Sequence, residues 1–354
     1  MKETVWLRAE TKDQEARSAL APDQIRQLIS ADFEIVVERS EQRAIDDSAF
    51  SDTGCAMVDT GSWRDAPLDA WILGLKELPE EDFALSHRHI YFAHAYKKQQ
   101  GWQNLLRRFK QGGGELFDLE YLVHNNGRRV AAFGYWAGFA GCAVGLKIWM
   151  GQQLDRKPVI TELQSYDNKA SMLAELGEEL AGINARPKII VIGAKGRVGA
   201  GALHFAQDLG LATTNWDMDE TAKGGPFAEV LQHEIFINCV LVQHKIPPFL
   251  THDTLLEANR KLSVICDVSC DPGIFNPIPI YSETTTFSEP VVEINAGEKE
   301  LYLSAIDHLP SLLPVESSED FADQLLPHLL ALSDDSDNVW SRAGKIFHEK
   351  SSNL

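Results

Sequence analysis

The sequence is short of cysteine, short of positive charge, and without any long apolar run. Its five cysteines, Cys55, Cys142, Cys239, Cys266 and Cys270, are an odd number with no C-x-x-C pair. That pattern argues against a disulfide framework and a zinc knuckle, and makes reduced thiols the expectation. Lysine and arginine number 33 against 52 aspartates and glutamates, a formal charge of −19. Such a balance argues against a nucleic-acid or membrane-surface role, and any anionic ligand must meet a local basic pocket. No apolar stretch is long enough to span a bilayer, no charged-apolar-small leader opens the chain, and the final "SSNL" is not a peroxisomal address. The expected location is cytoplasmic. Internal repeats and low-complexity tracts are missing, and so is a G-x-S-x-G elbow, which disfavours a hydrolase triad built on Ser269.

What is present is an alternation of short apolar strands and helices. At 354 residues the chain suggests two domains. "TVWLRAE", "FEIVVE", "CAMVDT", "WILGLK" and "IYFAHAY" read as strands of a parallel sheet, with a helix opening near Pro22. "GWQNLLRRFK" reads as a helix stopped by Gly112 to Gly114, and Asn126-Gly127 as a hairpin turn between extended runs. A long Gly- and Ala-rich helix is expected from Phe133 to Leu154, and another around Lys169 to Leu180. "KIIVIGA", "IFINCV" and "LSVICDVS" continue as strands, the proline-rich "CDPGIFNPIPIYSE" as irregular loop, and the tail from Ser317 as helices packing back on the first domain. The fold class is therefore α/β, with two Rossmann-like doubly wound domains. Residues 1–134 plus 318–354 form a discontinuous substrate domain, residues 135–317 a nucleotide-binding domain, and the site is expected in the cleft between them.

The segment "KIIVIGAKGRVGAGALHFAQDLG" resembles a dinucleotide turn with altered spacing, Gly193, Gly196 and Gly199 replacing G-x-G-x-x-G. A strand precedes it and a helix, with Ala202, Phe205, Ala206 and Leu209 at helical spacing, follows. Arg197 falls where a pyrophosphate would lie. Asp217, 24 residues after Gly193, ends the next strand, where a carboxylate would take the adenosine ribose hydroxyls and repel a 2′-phosphate. The alternative is an ordinary βα turn that needs small residues.

Hydride chemistry requires a group that manages a proton at a strand's carboxyl end. Lys76, closing "WILGLK", is either a solvated strand end or a desolvated amine of lowered pKa. His87, His89 and His94 suggest a metal, but the odd separation of His89 and His94 would put them on opposite faces of a strand, so no metal site is expected. His94, amid apolar neighbours and followed by Lys97 and Lys98, is a catalytic candidate or a satisfied core histidine. Arg128 and Arg129 are solvated charge or carboxylate-binding guanidiniums; Glu77 and Glu120 either tune the nearby bases or form simple ion pairs; Asp307 and His308 sit in a structural turn or on a cofactor.

"LRAETKDQEARSALAP", "GSWRDAP", "ILGLKELPE", "FAHAYKKQQGWQNLLRRF", "GRRVAAFGYWAGFAG", "GGPF", "IFINCV", "NPIPIY" and "SAIDHLPSLLP" together resemble the lysine-forming saccharopine dehydrogenases, whose fold is similar to that of alanine dehydrogenase. The likeness runs from about Trp6 into the C-terminal helices. It implies reversible NAD-dependent cleavage of saccharopine to lysine and 2-oxoglutarate. Lys76 is implied as the base for the secondary amine and His94 as the acid–base group for water attack on the imine. Lys12, Arg17, Lys97, Gln99, Arg129, Phe133, Ser269, Cys270 and Asp271 are implied around the substrate. Arg128, Gly193, Gly196, Arg197, Gly199, Asp217, Thr221, Val268, Ile306, Asp307, His308 and Leu309 are implied around NAD, with Glu77 and Glu120 tuning the bases. Val198 stands where the fungal pattern has a cysteine, so a disulfide from the turn to Cys239 cannot form, and "SCD" departs at the substrate loop. The alternatives are another NAD-dependent amino or imino acid dehydrogenase, or a non-catalytic NAD-binding protein.

Overall fold

A computed structural model describes residues 2–97, 100–333 and 338–352 of the chain. Two compact units result, Met1–Ala132 with Pro314–Leu354, and Phe133–Leu313.

The first unit opens with β1 (Thr4–Leu7), α1 (Pro22–Ser30), β2 (Glu34–Glu38), α2 (Asp47–Ser51), β3 (Ala56–Val58), β4 (Trp71–Leu73), β5 (Arg88–Tyr91), α3 (Trp102–Gly112) and β6 (Glu115–Asp118). Its sheet runs β3-β2-β1-β4-β5-β6, every neighbour parallel. Pro22 starts α1 because its fixed φ suits a first helical turn, and Gly113, at φ 73°, ends α3 in the left-handed conformation that a side chain resists. Leu7 pairs with Leu73, Leu73 with Ile90, and Ile90 with Phe117, so the residues just beyond these four strands share one carboxyl edge.

The second unit begins with α4 (Gly134–Gln153) and α5 (Lys169–Ala181). It continues through β7 (Ile189–Ile192), α6 (Arg197–Asp208), β8 (Thr213–Trp216), α7 (Met218–Thr221), β9 (Ile235–Asn238), α8 (His252–Leu255), β10 (Val264–Asp267), β11 (Val292–Glu293) and β12 (Tyr302–Ser304). The order is β11-β12-β10-β9-β7-β8, parallel except for β11. Side chains alternate between two cores as the pleat requires: Ile189, Val191, Ile235 and Ile237 join the α4, α5 and α6 side, while Ile190, Ile192, Phe236 and Ile265 join the other. Runs buried on both faces are the signature of a parallel sheet. The helix α4 is apolar all round and correspondingly buried, and it touches α6 backbone to backbone. A Cβ on Gly138 would come 1.8 Å from the Val198 carbonyl oxygen, and one on Gly201 the same distance from that of Tyr135.

The chain then returns to the first unit through α9 (Pro314–Leu329) and α10 (Val339–Ser351). Ser18 N–H donates to Ser318 Oγ at 2.8 Å, Trp340 packs on Trp71 and Phe117, and Phe347 on Phe109. The Asn126-Gly127 turn forms, with Gly127 at φ 78°, but the expected hairpin shrinks to one bridge between Val123 and Arg129. Backbone N–H groups around it donate within the loop instead, His124 to Arg128 and Gly127 to His124.

Candidate active site

In the first unit the carboxyl edge gathers a set of ionisable side chains. Lys76 lies three residues past β4, and its backbone is fixed from the segment that follows β1. Its N–H donates to Glu10 Oε2 at 2.9 Å, Leu75 N–H to Glu10 Oε1 at 2.7 Å, and its carbonyl accepts from Arg8. The Lys76 side chain is 23% exposed and faces Glu15 Oε2 at 3.9 Å. Glu15, itself buried, is gripped by Arg17 through Nε at 2.7 Å and Nη2 at 2.5 Å. Burial, reinforced by the Arg17 charge, lowers the Lys76 amine below its ordinary range, with Glu15 partly opposing. Burial pushes Glu15 up, but Arg17 and Lys76 outweigh it and leave the carboxyl lowered.

His94 sits three residues beyond β5 at φ 52°, a left-handed conformation uncommon in residues other than glycine. The strand ends at Tyr91, so strand parity does not govern its direction. His87 and His89 are instead packed in the core beside Trp63, and His89 also against Phe109. His94 Nε2 lies 3.6 Å from Glu77 Oε1, and Nδ1 has no hydrogen-bond partner among the described residues. Burial lowers the imidazole pKa, while Glu77 and Glu120 pull it back up. Lys12 Nζ reaches the other Glu77 oxygen at 3.4 Å. Glu120, three residues past Phe117, takes Lys97 at 3.0 Å on one oxygen and Arg129 at 3.4 Å on the other. A cavity of about 440 Å³ is lined by Lys12, Glu77, His94, Trp102 and Arg108, among others. Arg128 is exposed, its N–H bonded to Asn126 Oδ1. Gln99 lies outside the described residues.

Five cations, Lys12, Arg17, Lys76, Lys97 and Arg129, thus stand against three carboxylates, Glu15, Glu77 and Glu120, in one unit. Sequence reasoning missed Arg8, Glu10 and Glu15. Arg8 and Glu10 follow β1 closely and so fall at the carboxyl edge, but that this edge adjoins Lys76 depends on β1 lying beside β4.

In the second unit the register aligns Ile192 with Trp216 and with Asn238, and Asn238 with Asp267. Gly193, Asp217, Cys239 and Val268 therefore emerge side by side. Gly193 is at φ 88°, and a Cβ there would press on Val240 and the Cys239 backbone. A Cβ on Gly199 would lie 2.2 Å from the Gly193 carbonyl oxygen, while Gly196 caps α6 and Arg197 begins it. Asp217 caps α7, its carboxylate accepting the Lys195 N–H at 2.8 Å and the Met218 N–H at 2.9 Å. Gly193, Asp217 and Thr221 line a cavity of about 760 Å³ with Phe227, Val240 and His244. These features fit a dinucleotide: a turn stripped of side chains, a helix N-terminus, and an oriented carboxylate beside an open cavity. Val268 packs where a Cβ on Gly141 would be, Ser269 bonds Asp267, Cys270 is at φ 47°, and Asp271 Oδ1 accepts the Gly273 N–H. Ile306 bridges to Thr285, the His308 ring lies 4.3 Å from that of Phe287, Leu309 is buried, Asp307 exposed, and Phe133 caps α4. Among the described residues no helix is long and apolar enough to cross a membrane.

Comparison with known proteins gives a consistent picture. The family model described as alanine dehydrogenase/PNT, N-terminal domain, matches residues 6–140, and that of the C-terminal domain residues 227–348. The chain is 48% identical to the saccharopine dehydrogenase (NAD(+), L-lysine-forming) of Schizosaccharomyces pombe over 97% of each chain. It is 49% identical to the enzyme of the same name from Yarrowia lipolytica over 96% of this chain and 95% of the relative. A solved L-alanine dehydrogenase superposes with a TM-score of 0.65 at 17% identity, covering 99% of this chain and 93% of that one, which establishes a shared fold.

Proposed function

This chain belongs to the saccharopine dehydrogenase family, and from that premise we propose that it is the NAD-dependent, L-lysine-forming enzyme, cleaving saccharopine reversibly to L-lysine and 2-oxoglutarate. One observation supports the assignment of roles. Lys76 and His94 are half-buried bases whose pKa values burial lowers, each faced by a carboxylate and each at the carboxyl edge of the same sheet.

Bound NAD supplies the hydride acceptor; Gly193, Gly196, Arg197, Gly199, Asp217, Thr221, Val268 and the Ile306–Leu309 segment would hold it, with Arg128 added by resemblance. The remaining chemistry belongs to side chains. Lys76, its amine made less basic by burial, takes the proton from the secondary amine as the adjacent C–H bond is oxidised. His94, neutral over more of the pH range than a free imidazole, takes a proton from the water that adds to the resulting imine, then returns it as the C–N bond of the carbinolamine breaks. Lysine leaves as the amine, 2-oxoglutarate as the ketone. Lys12, Arg17, Lys97, Gln99, Arg129, Phe133 and the Ser269–Asp271 loop would line the substrate pocket, the cations among them taking the substrate carboxylates. Glu15, Glu77 and Glu120 keep the cations of this set oriented before substrate arrives.

The test is NADH oxidation by lysine plus 2-oxoglutarate, repeated with ornithine for the amine and pyruvate for the acid. Turnover that is fastest with lysine and 2-oxoglutarate is the expected result. A clear preference for another pair would assign the chain to a different imine reduction on the same scaffold, and no turnover with any pair would leave only an NAD-binding protein.

A further inference from the structure

The buried carboxylate of Asp267 has no role in the scheme above, yet it accepts four hydrogen bonds at the second unit's carboxyl edge. It ends β10 in register with Asn238 of β9, and both residues are fully buried. Oδ1 accepts from Asn238 Nδ2 at 2.9 Å, Ser269 Oγ at 2.6 Å and Ser269 N–H at 3.1 Å; Oδ2 accepts from the Tyr281 hydroxyl at 2.7 Å. Burial raises its pKa, and the donors from Ser269, Tyr281 and Asn238 counter the rise.

A buried charge is a poor means of stabilising a fold, since apolar packing of the same volume serves as well. What the four bonds do is fix loops. Asn238 Oδ1 in turn accepts the Val240 N–H at 3.2 Å, and Val240 is the side chain that leaves room only for glycine at Gly193. Ser269 opens the Ser269–Asp271 segment. Cys270 turns through φ 47° with its N–H on the Asp267 carbonyl, and its thiol donates to the Ala305 carbonyl at 3.1 Å, one residue before Ile306. Tyr281 brings in the proline-rich loop.

We infer that Asp267, anchored by Tyr281, is a positioning residue that sets the loops after β9, β10 and β12 in the conformation that receives the cofactor. The inference rests on the cofactor reading of the glycine turn, of Val268 and of the Ile306–Leu309 segment. Hydrogen-bond geometry, and not the charge, is what positions the loops. An asparagine can keep the three bonds at Oδ1 and donate to the Tyr281 hydroxyl oxygen, which accepts as readily as it donates.

The experiment compares Asp267→Ala, Asp267→Asn and Tyr281→Phe in the full-length chain by melting temperature, NADH titration, and steady-state KM and kcat per folded protein. Loss of a hydrogen bond to a charged group costs roughly ten- to a hundredfold. Tyr281→Phe is therefore expected to weaken NADH binding about tenfold at a melting temperature near the parent's, with the KM for NAD rising more than that for saccharopine. Asp267→Ala should lose about a hundredfold or more in NADH affinity, and Asp267→Asn should recover to within about threefold of the parent. If Asp267→Ala does not fold, Tyr281→Phe and Asp267→Asn decide. Parental NADH affinity and kinetics in Tyr281→Phe, or an Asp267→Asn protein unable to bind NADH, would overturn the inference. A parent that binds NADH but does not turn over saccharopine would count against the proposed reaction and leave this test standing.

Discussion

For both Lys76 and His94 burial, more than any partner, sets the basicity. Groups that move a proton in the transition state show their worth in turnover and not in ligand affinity. Lys76→Met and His94→Gln should each slow turnover by about 10² or more, leave NADH affinity nearly unchanged, and remove one limb of the pH profile. Near-parental turnover in either variant would return that residue to a structural role. Asp118 makes a separate prediction about stability. It ends β6 with Oδ1 accepting the Glu120 N–H at 2.9 Å, while Oδ2 lacks a partner among the described residues. Burial pushes its carboxyl up to about 7 from an ordinary 3.8, with the backbone N–H groups of Glu120 and Ala93 opposing. Because the folded chain holds this proton more tightly than the unfolded chain does, the group's contribution is lost as pH rises from about 4 to 7. Asparagine keeps an acceptor for Glu120 and carries no charge. Asp118→Asn should therefore match the parent's stability near pH 4 and exceed it at pH 8, by an amount on the order of a few kcal/mol at most. Equal melting temperatures at pH 8 would show that Asp118 ionises there without penalty.

At the scale of elements, strands and helices were legible because their periods are local. "KIIVIGA" and "IFINCV" read as buried strands for the same reason that they are: β-branched runs covered on both faces. The Asn126-Gly127 hairpin failed for a non-local reason, since a turn signal fixes the turn and not whether the flanking chain finds a ladder. His94 was picked out by its neighbours, but its backbone conformation depends on the loop after β5 and has no sequence signature. Arg8, Glu10 and Glu15 escaped notice because their importance comes from β1 and β4 lying side by side, which strand order alone reveals. The α4–α6 contact was hinted at by the Gly- and Ala-rich run, and the structure assigns it to particular glycines. Gly201 faces the Tyr135 carbonyl oxygen at a distance that admits no Cβ, and backbone cannot step aside as a side-chain end can. Gly201→Ala should thus cost several kcal/mol through overpacking, despite alanine's better helix propensity, whereas Gly210→Ala, at φ 65° with open space around it, should show only the smaller backbone strain of about 1–2 kcal/mol. Denaturant midpoints of the two variants, compared with the parent, check the ranking; a Gly201→Ala protein as stable as the parent would mean the two helices separate freely.

At the scale of the whole molecule, a charge of −19 is compatible with the anionic substrate proposed above because Lys12, Arg17, Lys76, Lys97 and Arg129 are gathered around Glu15, Glu77 and Glu120 at the candidate site. The first unit is assembled from both ends of the sequence, whereas residues 133–313 are continuous and carry a six-stranded sheet with apolar cores on both faces. A continuous segment with its own core meets the requirements of an independently folding domain. It also contains Gly193, Asp217 and the 760 Å³ cavity, and lacks Lys76 and His94. Residues 133–313 produced alone should therefore fold cooperatively, bind NADH, and catalyse nothing. Asp217, its carboxylate already aimed by two backbone N–H groups, should accept the ribose hydroxyls and repel a 2′-phosphate, so NADH should bind more than about tenfold tighter than NADPH, the ratio that 1.4 kcal/mol represents. Asp217→Asn, which removes the repulsion and keeps an acceptor, should narrow that ratio in the fragment and in the full chain alike. Fluorescence titration with both cofactors reads the outcome. A fragment that folds yet binds the two equally would remove Asp217 from the cofactor site, and one that folds without binding either would place part of the nucleotide's binding surface in the first unit.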